Sequence, residues 1–276
     1  MATWLRCFLA LSIPCAAAMA GEQPAAGQRA VAGAGSISLV RVVEPPPAPA
    51  PAPELAAWRQ AAERGEVDAQ TQLASAYYLG QGVAPDYHEA LTWYRKAAEQ
   101  GDRKAQTVLG LMHEGGEGVP KDAREAARWF RMAAERGDVD AQSRLGEKCY
   151  LGEGVPKDLA EARKWFKLAA LQGDADAQAK LGAMCFLGEG RAKDASEAAK
   201  WFLLASAQGN ATAQGCLGMM YAMGDGVPKD LVQAYAWLLQ ATNAGNTQVA
   251  QTFDTLKRGL APAQIEEGRK RALAAR

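Results

Sequence analysis

The sequence has few histidines, few cysteines and no excess of either charge. Its 276 residues include 2 histidines and 5 cysteines, and Lys+Arg and Asp+Glu balance at 31 each. So few histidines leave little material for a catalytic triad built on histidine. Because a neutral chain creates no strong field, the sequence gives no electrostatic reason to expect nucleic acid or an anionic membrane as a partner.

Long apolar runs are also missing, apart from a short one at the start of the chain. Residues 1–20 combine a basic residue at Arg6, an apolar stretch too short to span a bilayer, and small residues at Ala18 and Ala20. This pattern predicts a signal peptide that is cleaved after Ala20. A lipoprotein signal using Cys15 is the alternative, although the proline before that cysteine fits it badly. We therefore predict a periplasmic or secreted protein with no integral membrane segment after cleavage.

A region rich in proline and alanine follows the predicted signal peptide. Residues 21–53 end in PPPAPAPAP, which offers too few backbone donors for a helix or a sheet. We expect it to form a semi-rigid polyproline II spacer. The stretch SISLVRVV at 36–43 alternates like a strand, but a single strand is only marginally stable. Residues 21–53 are therefore predicted to be a largely disordered linker.

From residue 54 onward the chain repeats every 36 residues. Glycine, tryptophan and aspartate each occupy a column with this period: Gly65, Gly101, Gly137, Gly173, Gly209 and Gly245; Trp93, Trp129, Trp165, Trp201 and Trp237; Asp86, Asp122, Asp158, Asp194 and Asp230. Each unit contains two apolar stripes with helical spacing, at 69, 73, 76, 77 and 80 and at 90, 93, 94, 97 and 98. Each unit is thus predicted to be a helical hairpin that stacks on its neighbours, with the tryptophans in the core.

Two kinds of joint connect the predicted helices. The heptapeptide GEGVPKD occurs at 116–122 and 152–158, and GDGVPKD occurs at 224–230. Its glycines permit positive φ, its proline restricts the backbone, and Asp122 is placed as an N-cap with Glu125 completing a capping box. A phosphate-binding loop is not expected, because no Gly-Lys-Ser/Thr follows and no strand precedes it.

The second joint is the glycine column, followed by N-caps for the next helix. The predicted N-caps are Asp102, Asp138, Asp174 and Asn210. Glycine also recurs inside the first helix of most repeats, at Gly110, Gly146, Gly182 and Gly218. Since glycine inside a helix costs roughly 1 kcal/mol relative to alanine, we expect a neighbouring helix to approach closely there.

The repeat resembles the Sel-one-like repeat, a relative of the tetratricopeptide repeat. The resemblance rests on DAQTQLASAYYLGQGVAPDYHEALTWYRKAAEQG and its four successors and covers residues 54–244. The final LAPAQIEEGRKRALAAR resembles the closing element of such proteins. The family implies an all-α, right-handed α/α solenoid over 54–276, with five full repeats at 65–244 between terminal half-repeat caps. It also implies a protein-binding scaffold, often in the bacterial envelope.

Three cysteines remain after the predicted cleavage site. Cys149 and Cys185 occupy one column, and stacked helices lie roughly 9–10 Å apart, whereas a disulfide needs Cα atoms about 4.4–6.8 Å apart. A bond between them is therefore not expected, and pairing of Cys185 with Cys216 stays open. Cysteine-rich secreted members of the family carry a regular pair in each repeat, which this chain lacks. We predict small buried side chains.

His113 shares this column and could be taken with the cysteines as a metal site. The same separation argues against it, because the ligands of one zinc ion lie only about 2.0–2.3 Å from the metal. We therefore expect His113 to pack in the core in place of tyrosine, and we predict no metal, cofactor or catalytic residue. His88, the other histidine, falls at an exposed helical position.

A partner-binding surface can be placed by helix phase. The stripe at 68, 71, 75 and 78 lies opposite the buried face of the first helix and, by resemblance to tetratricopeptide proteins, should line a concave groove. Carried along the period, the candidate residues are Asp68, Tyr78, Glu114, Asp140, Glu147, Tyr150, Phe186 and Met219. This groove would be acidic and aromatic at one end and apolar at the other. It would suit an extended or helical segment with a basic part and an apolar anchor.

The predicted function is that of an exported scaffold or adaptor of the bacterial envelope, which binds a protein partner without catalysis. The sequence contains no recognisable pairing of a nucleophile with a base. Two alternatives remain. One is an envelope hydrolase acting on β-lactams or peptidoglycan, since some secreted relatives have been linked to β-lactam binding or hydrolysis. The other is a secreted host-interaction factor.

Overall fold

The computed structural model describes residues 53–274, which form helices and no strand. The predicted signal peptide and the predicted linker up to residue 52 lie outside this range. The described part contains thirteen α-helices and one short 3₁₀ helix. They are α1 (Pro53–Glu63), α2 (Val67–Leu79), α3 (Tyr87–Glu99), α4 (Arg103–Gly115), α5 (Ala123–Glu135), α6 (Val139–Leu151), α7 (Leu159–Leu171), α8 (Ala175–Leu187), α9 (Ala195–Ala207), α10 (Ala211–Met223), α11 (Leu231–Asn243), the 3₁₀ helix Thr247–Val249, α12 (Ala250–Gly259) and α13 (Pro262–Ala274).

From α1 to α11 each helix packs mainly on the helices before and after it in the chain, whereas α13 packs mainly on α11. The pairs α2/α3, α4/α5, α6/α7, α8/α9 and α10/α11 are the hairpins of repeats one to five, and successive hairpins stack. Apolar side chains from both helices of each repeat form the core, which consists of two clusters: one runs from Leu55 to Met112 and includes Trp129, and the other runs from Ala126 to Val249. The predicted solenoid of helical-hairpin repeats is confirmed.

The tryptophan column belongs mostly to this core. Trp93, Trp129, Trp165 and Trp237 are buried, while Trp201 is half-buried and packs against the core. The prediction that these rings are structural is confirmed.

The predicted N-caps form as expected. Asp122 Oδ1 accepts hydrogen bonds from the backbone N–H groups of Arg124 and Glu125, at 2.9 and 3.1 Å. Its counterparts in the other four repeats also accept from the first turn of their helices. Asp102, Asp138, Asp174 and Asn210 cap the first helices of repeats two to five.

The predicted capping box is wrong. The backbone N–H of Asp122 donates to the carbonyl of His113, at 2.9 Å, and not to Glu125. This carbonyl lies in the last turn of α4 and has no partner inside the helix, so it takes the donor and closes the loop. In repeats one, three and four the corresponding glutamate instead accepts from the tryptophan of its own helix, as Glu161 does from Trp165 Nε1 at 3.3 Å.

The two glycines of GEGVPKD have different roles. Gly116 adopts φ +80°, the left-handed conformation that ends α4 and that glycine reaches without strain. Gly118 lies against the preceding repeat, and a Cβ atom there would come within 2.6 Å of the carbonyl oxygen of Tyr87. The heptapeptide therefore connects the two helices of one repeat and also packs against the preceding repeat.

Close helix approach explains the glycines inside the first helices. A Cβ atom on Gly146 would lie 2.8 Å from Phe166 Cδ1, and one on Gly182 would lie 2.9 Å from Phe202 Cδ1. Gly110 and Gly218 are equally close to the neighbouring helix. The prediction of close approach is confirmed.

A ladder of buried glutamines, not expected from the sequence, runs through the stack. In repeats one to four a first-helix glutamine donates to a carbonyl near the end of the preceding helix, as Gln142 Nε2 does to Ala134 O at 3.1 Å. Its Oε1 accepts from the glutamine at the C-cap of the next helix in repeats one, three and four, at 2.8 to 2.9 Å. We call these contacts the glutamine ladder. Arg136 and Ala244 replace the donor in repeats two and five.

The last helix covers the exposed side of repeat five. Gly268 of α13 lies against the ring of Tyr235 in α11. Arg271 Nη1 forms an ion pair with Asp230 Oδ2 at 2.9 Å, and Gln240 Nε2 donates to the Ala272 carbonyl at 2.7 Å. The polar helix expected at this end therefore packs on the last repeat.

Candidate partner-binding face

The first helices α2, α4, α6, α8 and α10 share one partly exposed face, opposite their buried stripe. We call it the first-helix face. It contains the eight candidate partner-binding residues, because residues 36 apart occupy equivalent positions in stacked hairpins. The face receives side chains from the following repeat, and these contacts alter what the sequence predicts about its charge and exposure.

The carboxylates of this face fall into two groups. Asp68 and Asp140 are exposed. Glu114 and Glu147 are half-buried and are held by cations of the next repeat: Glu114 Oε2 lies 3.1 Å from Arg144 Nη1, and Glu147 Oε1 lies 3.3 Å from Lys180 Nζ. The acidic character predicted for this end is therefore confined largely to the two aspartates.

Lys148 binds Glu114 from inside the stack. Its side chain is only 6% exposed, and its ammonium also lies 2.8 Å from Glu153 Oε2. Burial lowers the pKa of Lys148, but hydrogen bonds to the two glutamates outweigh burial and raise its pKa above the usual value. This lysine therefore stays charged and fixes the position of Glu114.

Two tyrosines reach across to the next repeat. Tyr78 donates its hydroxyl to Glu117 Oε2 at 2.6 Å, and Tyr150 donates to Glu189 Oε2 at 2.9 Å. Burial first, and then the hydrogen bond and charge of the glutamate, raise the pKa of both phenols. Both hydroxyls therefore remain protonated donors, and each ring is held beside a fixed carboxylate.

The apolar end of the face is less open than the sequence suggests. Phe186 is only 7% exposed, and the ammonium of Lys193 lies 4.5 Å from its ring centroid. Lys157 lies over Tyr150 in the same way, at 5.7 Å. The expectation that Phe186 is an exposed anchor is corrected: the ring is buried in the core, with the loop lysine over it. Met219 is half-buried and packs against the core.

The three described cysteines are free thiols in the core, as expected. The pairing of Cys185 with Cys216, left open by the sequence, does not form. Cys185 Sγ lies 3.0 Å from Arg163 Nη1, which donates to it. Burial raises the pKa of Cys149 to about 11 and also raises the pKa of the other two thiols. All three are therefore poor nucleophiles at neutral pH.

His113 occupies the core position that tyrosine fills in repeat one. It is 7% exposed, and neither ring nitrogen has a hydrogen-bond partner among the described residues. Burial lowers the pKa of His113, with a smaller opposing effect from Glu125, so the ring is neutral near pH 7. Between residues 53 and 274, no group of three or more His, Cys, Asp or Glu side chains is arranged to hold a metal ion.

These features define the class of protein as a helical-repeat solenoid of the tetratricopeptide-like superfamily. The sequence profile of the Sel1 repeat matches five consecutive units, at residues 67–102, 103–138, 139–174, 175–210 and 212–246. The chain therefore belongs to the Sel1 repeat family, as its resemblance to the Sel-one-like repeat predicts. Sel1 repeat proteins generally mediate protein–protein interactions.

Solved structures show the same fold. One is c5321, a protective antigen of uropathogenic Escherichia coli strains with an SLR fold: it is 34% identical with a TM-score of 0.71, and the match covers 79% of this chain and 48% of that one. This chain thus spans about half the length of the E. coli protein. A Sel1 repeat protein from Oxalobacter formigenes is 32% identical with a TM-score of 0.68, over 76% of this chain and 88% of that one. A search of curated protein sequences found no significant match.

No helix within residues 53–274 has the length and apolar character needed to cross a membrane.

The tyrosine–glutamate bonds were missed at the sequence level, although a signal for them exists. Both pairs are separated by 39 residues, one period plus three. Reading the tyrosine column together with the second residue of the GEG loop would have placed them side by side.

Proposed function

We propose that this protein is an exported scaffold or adaptor of the bacterial envelope that holds a segment of a partner protein against the first-helix face. The interaction role rests on membership of the Sel1 repeat family. The export signal rests on the sequence pattern of residues 1–20. The candidate contact residues are those of the first-helix face.

The observation that carries the proposal is the repeated pairing of a tyrosine ring with a fixed carboxylate. Tyr78/Glu117 and Tyr150/Glu189 lie two repeats apart on one face. A carboxylate has about four acceptor positions, so each glutamate can accept another donor while it holds its tyrosine. At Tyr78 a lysine or arginine of the partner would meet an aromatic ring and a negative charge together. At Tyr150, where Lys157 already lies over the ring, it would meet mainly the carboxylate of Glu189. Asp68 and Asp140, exposed on the same face, add to the attraction for a basic segment.

The apolar part of the partner segment belongs near Met219, since Phe186 is largely covered. A suitable partner is therefore a segment with basic residues spaced to reach two repeats and an apolar residue beyond them.

Capture from envelope extract tests this proposal. The variant Tyr78→Ala/Tyr150→Ala removes both rings, and Leu171→Ala, which alters a 66% exposed leucine of the second helix α7, is the matched control. Truncating anchors at an interface typically costs more than about 1 kcal/mol each, so the double variant should bind at least tenfold more weakly. The control should bind normally. Circular dichroism must show unchanged helicity in both variants. Undiminished capture by the double variant would rule out the first-helix face as the binding surface.

A host-facing role is the second candidate, because the E. coli relative is described as a protective antigen. Quantifying this protein in periplasm and in culture supernatant distinguishes the two roles. A predominantly periplasmic protein supports the envelope scaffold, and accumulation in the supernatant supports the host-facing role. Nitrocefin turnover by the purified protein would instead support a hydrolase.

A further inference from the structure

The second helices of repeats three and four expose several leucines to solvent. Four leucines of α7 and α9 are between 38% and 66% exposed: Leu168, Leu171, Leu203 and Leu204. Leu204 occupies in α9 the position that Leu168 occupies in α7, one period earlier. An ion pair between Arg163 of α7 and Glu197 of α9 shows that the two helices are neighbours. We call this surface the leucine strip.

The leucine strip is confined to the C-terminal half of the solenoid. At the positions of Leu168 and Leu171, repeat one has Lys96 and Glu99, and repeat two has a methionine and a glutamate. A contiguous exposed apolar patch, unlike scattered single side chains, marks a binding surface. The strip therefore has a different role from the equivalent surface of the first two repeats.

A cleft continues the leucine strip towards the end of the chain. It lies between α11 and α13, has a volume of about 210 Å³, and is lined in part by Leu239, Ala272 and Leu273. Leu239 occupies in α11 the position of Leu203 in α9, and Leu273 is 67% exposed. The apolar surface thus extends over α7, α9 and α11.

The sequence before the first helix contains a segment that fits such a surface. In SISLVRVV at 36–43, five of the eight residues are isoleucine, leucine or valine, and the rest of 21–52 contains only one such residue. With the three residues per turn of polyproline II, Ile37, Val40 and Val43 share a wholly apolar face, whereas Ser38 and Arg41 lie on another. A helical surface offers no strand edge for pairing. A polyproline II segment suits it, because the backbone of such a segment stays solvated.

The length of the intervening chain matches the distance to the leucine strip. Helix α1 begins at Pro53 and belongs to the row of second helices, because residues 53–63 are equivalent to 89–99 of α3. From α1 to α7 there are three helix spacings of roughly 9–10 Å, or about 30 Å. Residues 44–52 would span about 28 Å as polyproline II, at ~3.1 Å per residue. Residues 36–43 would cover a further ~25 Å, enough to cross α7, α9 and α11.

We propose that residues 36–43 dock on the leucine strip of their own chain as a polyproline II segment, with Ile37, Val40 and Val43 towards the leucines. The segment holds the linker across the second helices and leaves the first-helix face open. The proposal does not depend on capture of a partner, and variants of the first-helix face leave this docking unchanged.

Trypsin cleavage tests the proposal on protein purified from cells that express the full sequence. Arg41 lies within the segment, and Arg29 lies outside it and serves as the internal reference. Because the protease cuts the segment only while it is undocked, cleavage after Arg41 should be at least tenfold slower than in a synthetic peptide of residues 21–52. Cleavage after Arg29 should be equally fast in the protein and the peptide.

Variants on both sides of the contact separate docking from other causes of protection. Ile37→Ser/Val40→Ser changes no residue of the helices and should restore fast cleavage after Arg41, judged against a peptide with the same substitutions. Leu168→Ser/Leu204→Ser should do the same. The matched control is Leu79→Ser, which alters a 58% exposed leucine of α2 and should leave Arg41 protected. Thermal melts establish that the leucine variants are folded.

Dilution distinguishes the chain's own segment from that of a second copy. Protection of Arg41 that is independent of protein concentration supports the proposal, whereas protection that disappears on dilution indicates a second copy and would overturn it. Cleavage after Arg41 as fast as in the peptide would also overturn it. So would protection that persists in either double variant.

Discussion

Repairing the glutamine ladder in repeat two should stabilise the protein. Gln106 is 0% exposed, and its Nε2 donates to the Ala98 carbonyl at 2.9 Å, but its Oε1 has no partner in the described chain. The substitution Arg136→Gln places an amide at the C-cap position that provides the donor in repeats one, three and four. The perturbation adds one hydrogen bond to a fully buried acceptor.

The expected magnitude follows from opposing contributions. Satisfying a buried acceptor is worth about 1–3 kcal/mol, whereas losing the hydrogen bond from Arg136 to the Met132 carbonyl costs about 0.5–1.5 kcal/mol. The guanidinium also lies against Gly101, so some packing is lost. The net gain should be about 1 kcal/mol, which corresponds to roughly 2–4 °C in melting temperature for a chain of this size.

The matched control is Arg136→Ala, which removes the arginine without supplying an amide. Urea unfolding of the two variants isolates the new hydrogen bond, because both lose the same contacts of Arg136. Conversely, Gln100→Ala removes the donor to Gln70 Oε1 from an intact part of the glutamine ladder. Because this leaves a buried acceptor without a partner, the variant should lower the free energy of unfolding by about 1–2 kcal/mol. The reasoning is refuted if Arg136→Gln is no more stable than Arg136→Ala.

Three further predictions concern the chain ends, a loop and the core. Intact-mass measurement of the protein purified from cells that express the full sequence should give Gly21 as the first residue; a mass with a diacylglyceryl group would contradict this. The loop of repeat four, at 188–194, reads GEGRAKD, so Arg191 and Ala192 stand where GEGVPKD has valine and proline. Hydrogen exchange should be faster there than at 116–122 or 152–158, because the proline restriction, worth about 0.4–1 kcal/mol, is absent; equal or slower exchange would disprove the idea. Burial lowers the folded-state pKa of His113 below its unfolded value of about 6.5, so folding favours the neutral ring. The free energy of unfolding therefore falls as the pH drops below about 6.5, and His113→Phe should remove this loss of stability. Urea unfolding between pH 5 and 7 checks this, and an unchanged pH dependence would contradict it.

The helical framework could be predicted because it depends on the backbone and on burial. Positive φ at Gly116, N-capping at Asp122 and the apolar stripe around Trp93 are each dictated by one residue type at one position. The same residue types recur at the same positions of all five repeats, so the repetition makes the pattern easy to recognise in the sequence. The capping box failed because a competing acceptor, the carbonyl of His113, becomes available only when the loop folds back on α4.

The first-helix face was harder to predict because long side chains reach it from elsewhere. Nothing in helix phase indicates that Lys193 lies over Phe186, or that Arg144 and Lys148 hold Glu114. These contacts depend on the offset between stacked hairpins, which a pattern within one helix does not contain. Position on the face was therefore predictable, whereas exposure and charge were not.

Successive repeats of the solenoid are connected by different kinds of polar contact along its length. Repeats one and two are braced by the short hydrogen bond from Tyr78 to Glu117. Repeats four and five are joined on the same face by the ion pair of Lys193 and Asp225, at 2.8 Å, whose side chains are 50% and 37% exposed. Salt weakens an exposed ion pair, whereas a half-buried hydrogen bond from an uncharged phenol depends less on ionic strength. We therefore expect rising ionic strength to weaken the contact between repeats four and five more than the contact between repeats one and two.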